Sequence, residues 1–302
     1  MHRLLLLALA ITCQLCVPAA AQDRVLLGYG ALITNDFLGD GRDRWQTGSI
    51  QGSRVWGPEG GVPSAPFTLL ELRLGGQSIA PARLRNPAPG DRRYAGALSA
   101  GLHTHWLRGD AEFSLGGDLV FVGPNTGLDG LHAGFHDFLN ITQPSDTVRA
   151  NQIGNAVRPT LVAEAAHNFG LGAVALRPFA EVRAGAETLL RAGADLSFGG
   201  LGQAGLRVRD TVTGQRYAAV HAKGAGTRWI LGGDIAYVGS SVFLPTDTGP
   251  APENTRTRLR AGVQWQTQSG ARGFYGLTWL SEEFEDQPEG QLTGSFNLRV
   301  QF

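Results

Sequence analysis

The chain has 302 residues, 26 basic and 26 acidic side chains, 17% charged and 42% hydrophobic content, which is enough apolar material for a large folded unit and too much for a disordered one. Balanced charge excludes electrostatic capture of nucleic acid, which needs a clear positive excess. Glycine at 43 positions with a single methionine, against an ordinary glycine share of ~7%, favours sheet over a helical bundle.

The N-terminus has the layout of an export signal. Arg3 precedes an apolar run from Leu4 to Ile11, and Ala19-Ala20-Ala21 forms a small-residue cleavage end before Gln22. The expected division is a signal peptide over 1–21 and one domain over 22–302. Cys13 and Cys16 both fall inside the signal, so the exported chain has no disulfide or thiol chemistry. Beyond Gln22 no run of about 18 apolar residues appears, which excludes a spanning helix but not barrel strands of about 9–11 residues.

Period-two alternation is the dominant signal. Leu70, Leu72 and Leu74 share one face and Glu71 and Arg73 the other; Arg256, Arg258 and Arg260 share a face opposite Thr257, Leu259 and Ala261. An arginine facing lipid at mid-membrane costs about 2–4 kcal/mol, so these must point inward, where Glu181 or Glu71 are candidate partners. Runs bounded by turn residues predict twelve strands near 24–34, 45–56, 67–78, 93–107, 110–122, 156–168, 173–187, 189–199, 228–241, 255–267, 272–284 and 291–302. Leu107-Arg108-Gly109-Asp110 and Ala186-Glu187-Thr188 are expected as tight links, and 200–227 has no clear strand pattern.

The last strand alternates Phe296, Leu298, Val300 and Phe302 with polar residues and stops on the aromatic. This ending resembles the signal by which outer-membrane barrels engage the barrel-assembly machinery; an edge strand of a soluble sandwich is the alternative. The expected fold is an all-β transmembrane antiparallel barrel in the bacterial outer membrane. With the exported start on the periplasmic side, 35–44, 79–92 and 123–155 become long outer loops.

Gly127 to Asn140 breaks the alternation. Leu128, Leu131, Phe135, Phe138 and Leu139 recur at helical spacing, predicting a short helix on the outer rim. Asp129, His132 and His136 form a stripe along it. The i, i+4 pair His132 and His136 has a spacing that chelates metals or sets one imidazole beside another group, although surface histidines facing headgroups have the same spacing. Asn35 and Asp36 follow the first strand and Thr47 begins the second, so the up-and-down path brings them to the same rim. Alone, an Asn-Asp pair there is commonly a turn.

Four blocks then occur in order: Thr34-Asn35-Asp36-Phe37, Asp43-Arg44-Trp45-Gln46-Thr47-Gly48, Asp91-Arg92-Arg93-Tyr94-Ala95-Gly96, and Val122-Gly123-Pro124 with His136 thirteen residues after the glycine. This series resembles the LpxR family of outer-membrane lipid A 3'-O-deacylases, over residues 24–168 by motif and beyond that by barrel pattern. The resemblance implies a twelve-stranded barrel whose outward-facing site uses calcium to remove the 3'-linked acyloxyacyl chain from lipid A. Carried over by residue, it implies a catalytic set of His136, Asn35, Asp36 and Thr47, with His136 as general base toward water. It puts Tyr94 and Gly96 in a block that shapes the neighbouring rim, and the expected calcium, which prefers six to eight oxygen ligands, would draw on Asp36 and the amide oxygen of Asn35.

The family favours glutamine where this chain has His132, and the chain's single lysine beyond the signal is Lys223. Arg42, Arg44, Arg83, Arg85, Arg92 and Arg93 lie in the first two outer loops. Arginine forks bind phosphate, and Arg44, Arg92 and Arg93 are expected, with Tyr94 and His132, to meet the phosphates and sugars of lipopolysaccharide. The competing functional readings are a catalytically inactive barrel and a small outer-membrane pore.

Overall fold

The computed structural model describes residues 24–59, 63–202, 205–221, 224–247 and 249–299. The expected signal peptide, Cys13, Cys16, Lys223 and the closing Val300 to Phe302 lie outside the described residues.

Alternating sequence becomes strand throughout. In chain order these are β1 (Val25–Asn35), β2 (Trp45–Gly57), β3 (Leu70–Ala80), β4 (Ala95–Arg108), β5 (Ala111–Val122), β6 (Ala156–His167), β7 (Phe169–Leu171) and β8 (Val174–Ala184). Then follow β9 (Glu187–Gly199), β10 (Leu206–Arg209), β11 (Arg216–Val220), β12 (Gly226–Ser241), β13 (Thr255–Gln266), β14 (Arg272–Leu280) and β15 (Gln291–Arg299). Each wall strand pairs antiparallel with its neighbours; β6 meets β8, and β1 meets β15 through Ile33↔Phe296 to Asn35↔Gly294, which closes the cylinder. The short β7 continues β6 past Asn168 along β8, so the wall has twelve strands. The expected segments match them closely. The expected link at Ala186-Glu187-Thr188 is corrected: Glu187 and Thr188 already pair in β9 with β12, and the turn precedes them.

The two faces of the wall follow from polarity. Leu74, Leu102, Leu161, Trp229, Ile235 and Leu259 point out and are exposed, as a lipid-facing band requires. The charged residues between them point in and are buried. Arg256, Arg258 and Arg260 do face the lumen, but their partners differ from the expected acids. Arg258 pairs with Asp234, Arg260 with Asp195 and Asp234, and Arg256 with Glu187. Glu71 instead holds Arg73 and His105, and Glu181 holds Arg183 and Arg191. Register decides this, because Asp234 lies directly across from Arg258 on the paired strand.

Within the stretch that has no strand pattern, the described residues 205–221 form an internal plug. β10 and β11 form a hairpin separate from the wall and inside it. Arg209 donates to Glu164 at 2.7 Å and Asp195 at 3.0 Å and lies 3.5 Å over the Phe179 ring. Arg216 reaches Glu112, Tyr217 meets Ser53, and Gln215 donates to the carbonyls of Ala261 and Leu277. An apolar cluster of Leu32, Val55, Leu69, Val208, Tyr217 and Phe274 fastens one side of the hairpin to the wall. β1 must be bare for this approach: a Cβ on Gly30 would sit 2.1 Å from the Ala218 carbonyl oxygen.

The end at which β1 finishes carries the loops 36–44, 81–94, 123–155, 242–254 and 281–290, whereas 109–110 and 267–271 at the other end are short. Long loops at the outer end are the rule for such barrels. The predicted rim helix is present as α1 (Leu128–Phe138), followed by the single turn α2 (Asp146–Ala150), whose Ser145 side chain caps Val148 N–H.

Candidate active site

The site begins with two turns that fold outer loops back over the barrel mouth. Asp36 follows β1; its Oδ1 accepts from Phe37 N–H at 2.9 Å and its Oδ2 from Arg44 N–H at 2.6 Å. That second bond closes loop 36–44 on itself. Asn35 fixes the same corner, donating from Nδ2 to the Thr47 carbonyl at 2.8 Å and accepting Phe37 N–H at Oδ1. The closed loop delivers Asp43 toward α1, and Thr47 Oγ1 donates to Asp43 Oδ1.

From the other side, α1 presents its two histidines. It starts at Gly127, after the 3-10 turn Pro124–Thr126, and lies close on β4 because Gly96 is there: a Cβ at Gly96 would meet Thr126 Oγ1 at 2.7 Å and Leu128 Cβ at 2.9 Å. His132 and His136 point inward, with their Nε2 atoms 2.9 Å apart. Asp43 Oδ2 lies 3.1 Å from His136 Nε2 and 3.7 Å from His132 Nε2. The far nitrogens are held as well. His136 Nδ1 is 2.6 Å from the Thr142 carbonyl, which only accepts, so Nδ1 carries a proton and, in the neutral ring, Nε2 carries the lone pair. Tyr94 Oη is 3.3 Å from His132 Nδ1 and 3.4 Å from the Leu128 carbonyl.

Burial gives these groups unusual proton affinities. It pushes the Asp36 carboxyl up to about 8, Asp43 and Asp40 adding repulsion against the lowering effect of the Arg44 and Phe37 N–H groups. Asp43 is desolvated too, but His132, Thr47 and His136 beside it hold it below the ordinary carboxylate range. Burial raises the Tyr94 phenol to about 12, so Tyr94 keeps its proton at neutral pH.

The structure thus brings Asn35, Thr47, Tyr94, His132 and His136 into one linked set, with Asp36 bracing the loop that supplies it. The joining residue, Asp43, was not among the residues singled out from the sequence. It stands in a quoted block, but its direction depends on how loop 36–44 closes. Asp129 leaves the histidine stripe for Arg149, 3.0 Å away.

Three arginines expected to meet phosphate are otherwise engaged, which corrects that expectation. Arg44 is buried, paired with Asp40 and Glu289 and lying over Trp45. Arg92 is 2% exposed and pairs with Glu283 in the lumen. Arg93 donates to the carbonyls of Asn151 and Gln152. A loop position says only that a side chain is near the surface; these loops fold inward. Arg83 and Arg85 remain exposed. With Phe37, Arg42, Asp43 and Ile141 they line an open groove of about 1000 Å³ beside the histidines. On the side of α1 away from the histidines, Leu131, Phe135 and Phe138 are exposed to 68%, 55% and 83%.

Fold and site define an outer-membrane barrel with a histidine–carboxylate cluster under its outer loops. A family model described as outer membrane protein LpxR matches residues 5–302, and the chain belongs to that family. Its place is the bacterial outer membrane. Among solved structures, LpxR from Salmonella typhimurium superposes with a TM-score of 0.73 at 16% identity, covering 91% of this chain and 100% of that one. The β domain of the Bordetella autotransporter BrkA gives 0.44 at 12% identity, with 91% and 99% covered. The translocator domain of NalP from Neisseria meningitidis gives 0.42 at 13%, with 100% and 98% covered. No curated protein sequence matches the chain.

Proposed function

We propose that the protein is an esterase of the outer leaflet that removes the 3'-linked acyloxyacyl chain from lipid A. Support comes from family membership and one observation: His136 is held by Thr142 through Nδ1, with its Nε2 turned toward a half-buried carboxylate at the outer rim. In this reading His136 takes a proton from water as the water oxygen adds to the ester carbonyl carbon. Asp43 offsets the imidazolium charge so formed, and Thr47 and Asn35 fix Asp43 and its loop. When the tetrahedral intermediate collapses, the carbon–oxygen bond to the sugar breaks and the sugar oxygen takes the proton back from His136. Phe37, Ile141 and the outward face of α1 offer apolar surface to acyl chains, and Arg83 and Arg85 offer forks to phosphate.

Calcium is the cofactor assigned in this reading, and the residues at the Asn35–Asp36 corner fit it. Asp36 is 1% exposed and has no cationic partner among the described residues. The donors on its carboxylate, Phe37 N–H, Arg44 N–H and Gln291 Nε2, leave one of about four lone-pair positions. Oxygen donors of this kind suit a hard cation. Bound there, calcium would supply Lewis-acid stabilisation of the oxyanion.

Mass spectrometry of lipid A treated with the purified protein, with and without calcium, tests the assignment. The expected product is lighter by one acyloxyacyl group, forms only with calcium, and is lost in His136→Ala and Asp36→Ala. Unchanged lipid A with calcium and folded protein present overturns it.

A further inference from the structure

The two imidazoles and Asp43 form an arrangement that acyl transfer alone does not require. His136 Nδ1 gives its proton to the Thr142 carbonyl, which leaves Nε2 as the ligand atom of the neutral ring. His132 is held in a similar way: Tyr94 Oη sits 3.3 Å from Nδ1 and 3.4 Å from the Leu128 carbonyl. The two Nε2 atoms lie 2.9 Å apart with a carboxylate oxygen beside them. Asp43 Oδ2 is buried and accepts no well-aligned hydrogen bond, although imidazole nitrogens lie 3.1 and 3.7 Å away. Its other oxygen is oriented by Thr47. Three potential donor atoms thus converge on one point, one of them a carboxylate oxygen with no hydrogen-bond partner.

We infer that Asp43, His132 and His136 form a binding site for a divalent transition-metal ion of the zinc class. The spacings support it. Zinc with ligand bonds of about 2.0–2.1 Å in tetrahedral geometry sets its donors about 3.3 Å apart, and the three separations here are 2.9, 3.1 and 3.7 Å. The three atoms form the sole group of this kind among the described residues. Two nitrogens and one carboxylate oxygen are a borderline-soft set that suits zinc or cobalt, not a hard ion that seeks six to eight oxygens. Thr142, Tyr94 and Thr47 are the outer partners that metal-binding histidines and carboxylates ordinarily have. Three protein ligands leave one position open to solvent. The site is measured with no lipid present, and an ion bound there takes up the His136 Nε2 lone pair that the deacylase reading gives to water, so zinc occupancy and water activation exclude each other.

The test uses the full exported chain in detergent, stripped with a chelator and titrated calorimetrically with zinc in the presence of excess calcium. Cobalt then reports coordination through its visible absorption. The expected result is one zinc per chain, an intense tetrahedral cobalt band, and affinity weakened at least about 10–100-fold, the loss that outer partners alone produce, in both His132→Gln and Asp43→Asn. His167→Ala, at an exposed histidine on the far end of the barrel, should bind as the parent does. Circular dichroism confirms that each variant keeps its strands. Absence of saturable zinc binding, displacement of zinc by calcium, or unchanged affinity in folded His132→Gln overturns the inference; in those cases the imidazoles merely share a proton.

Discussion

His136 and Asp43 separate what spacing can reveal from what it cannot. His136 was legible because a helix period and a family block both point to it, and the helix places it on the face turned toward the barrel. Asp43 was not, since its role depends on the Asp36–Arg44 bond that closes its loop, and no local pattern encodes that closure. The arginines fail for a related reason: whether Arg92 meets solvent or Glu283 depends on the path of a whole loop. Replacing His136 with alanine should lower the deacylation rate by about 10²–10⁴-fold, measured as initial rates on lipid A in detergent micelles. Asp43→Asn keeps the shape but removes the charge beside the imidazolium, and should cost on the order of 10²; a rate within threefold of the parent would remove Asp43 from the mechanism.

At the scale of elements, the placing of α1 decides whether the two halves of the site meet. Gly96 lets the start of the helix lie against β4. Gly96→Val should push it away and lower activity on the order of 10², as an ångström of misplacement can, while the barrel still shows its folded mobility on unheated gels. The plug tests a different term. Arg209→Ala removes one cation shared by Glu164 and Asp195 and leaves them Arg177 and Arg260, so it should cost less than the about 3–5 kcal/mol of a fully broken buried pair; urea unfolding in lipid vesicles should show a lower midpoint. The twelve wall strands were readable because lipid outside and charge inside enforce strict alternation. The hairpin was not, since it lies inside the lumen, where both faces are covered and no such contrast exists.

For the whole molecule, the hairpin in the lumen bears on the choice between an esterase and a pore. β10 and β11 reach wall strands on several sides of the barrel and narrow the path that ions would take. The protein in planar bilayers should show negligible conductance, and replacing 205–220 with a short Gly/Ser linker should produce steady openings; porin-like conductance of the unaltered chain would contradict the plug. In the proposed reading, the outer end has one task, to bring an ester of the surrounding leaflet to His136. The most direct measurement of that claim is mass spectrometry of lipid A from bacteria expressing the chain or His136→Ala at equal levels in the outer membrane. Loss of one acyloxyacyl group with the unaltered chain and intact lipid A with the variant is the predicted result; the same lipid A profile in both would contradict it.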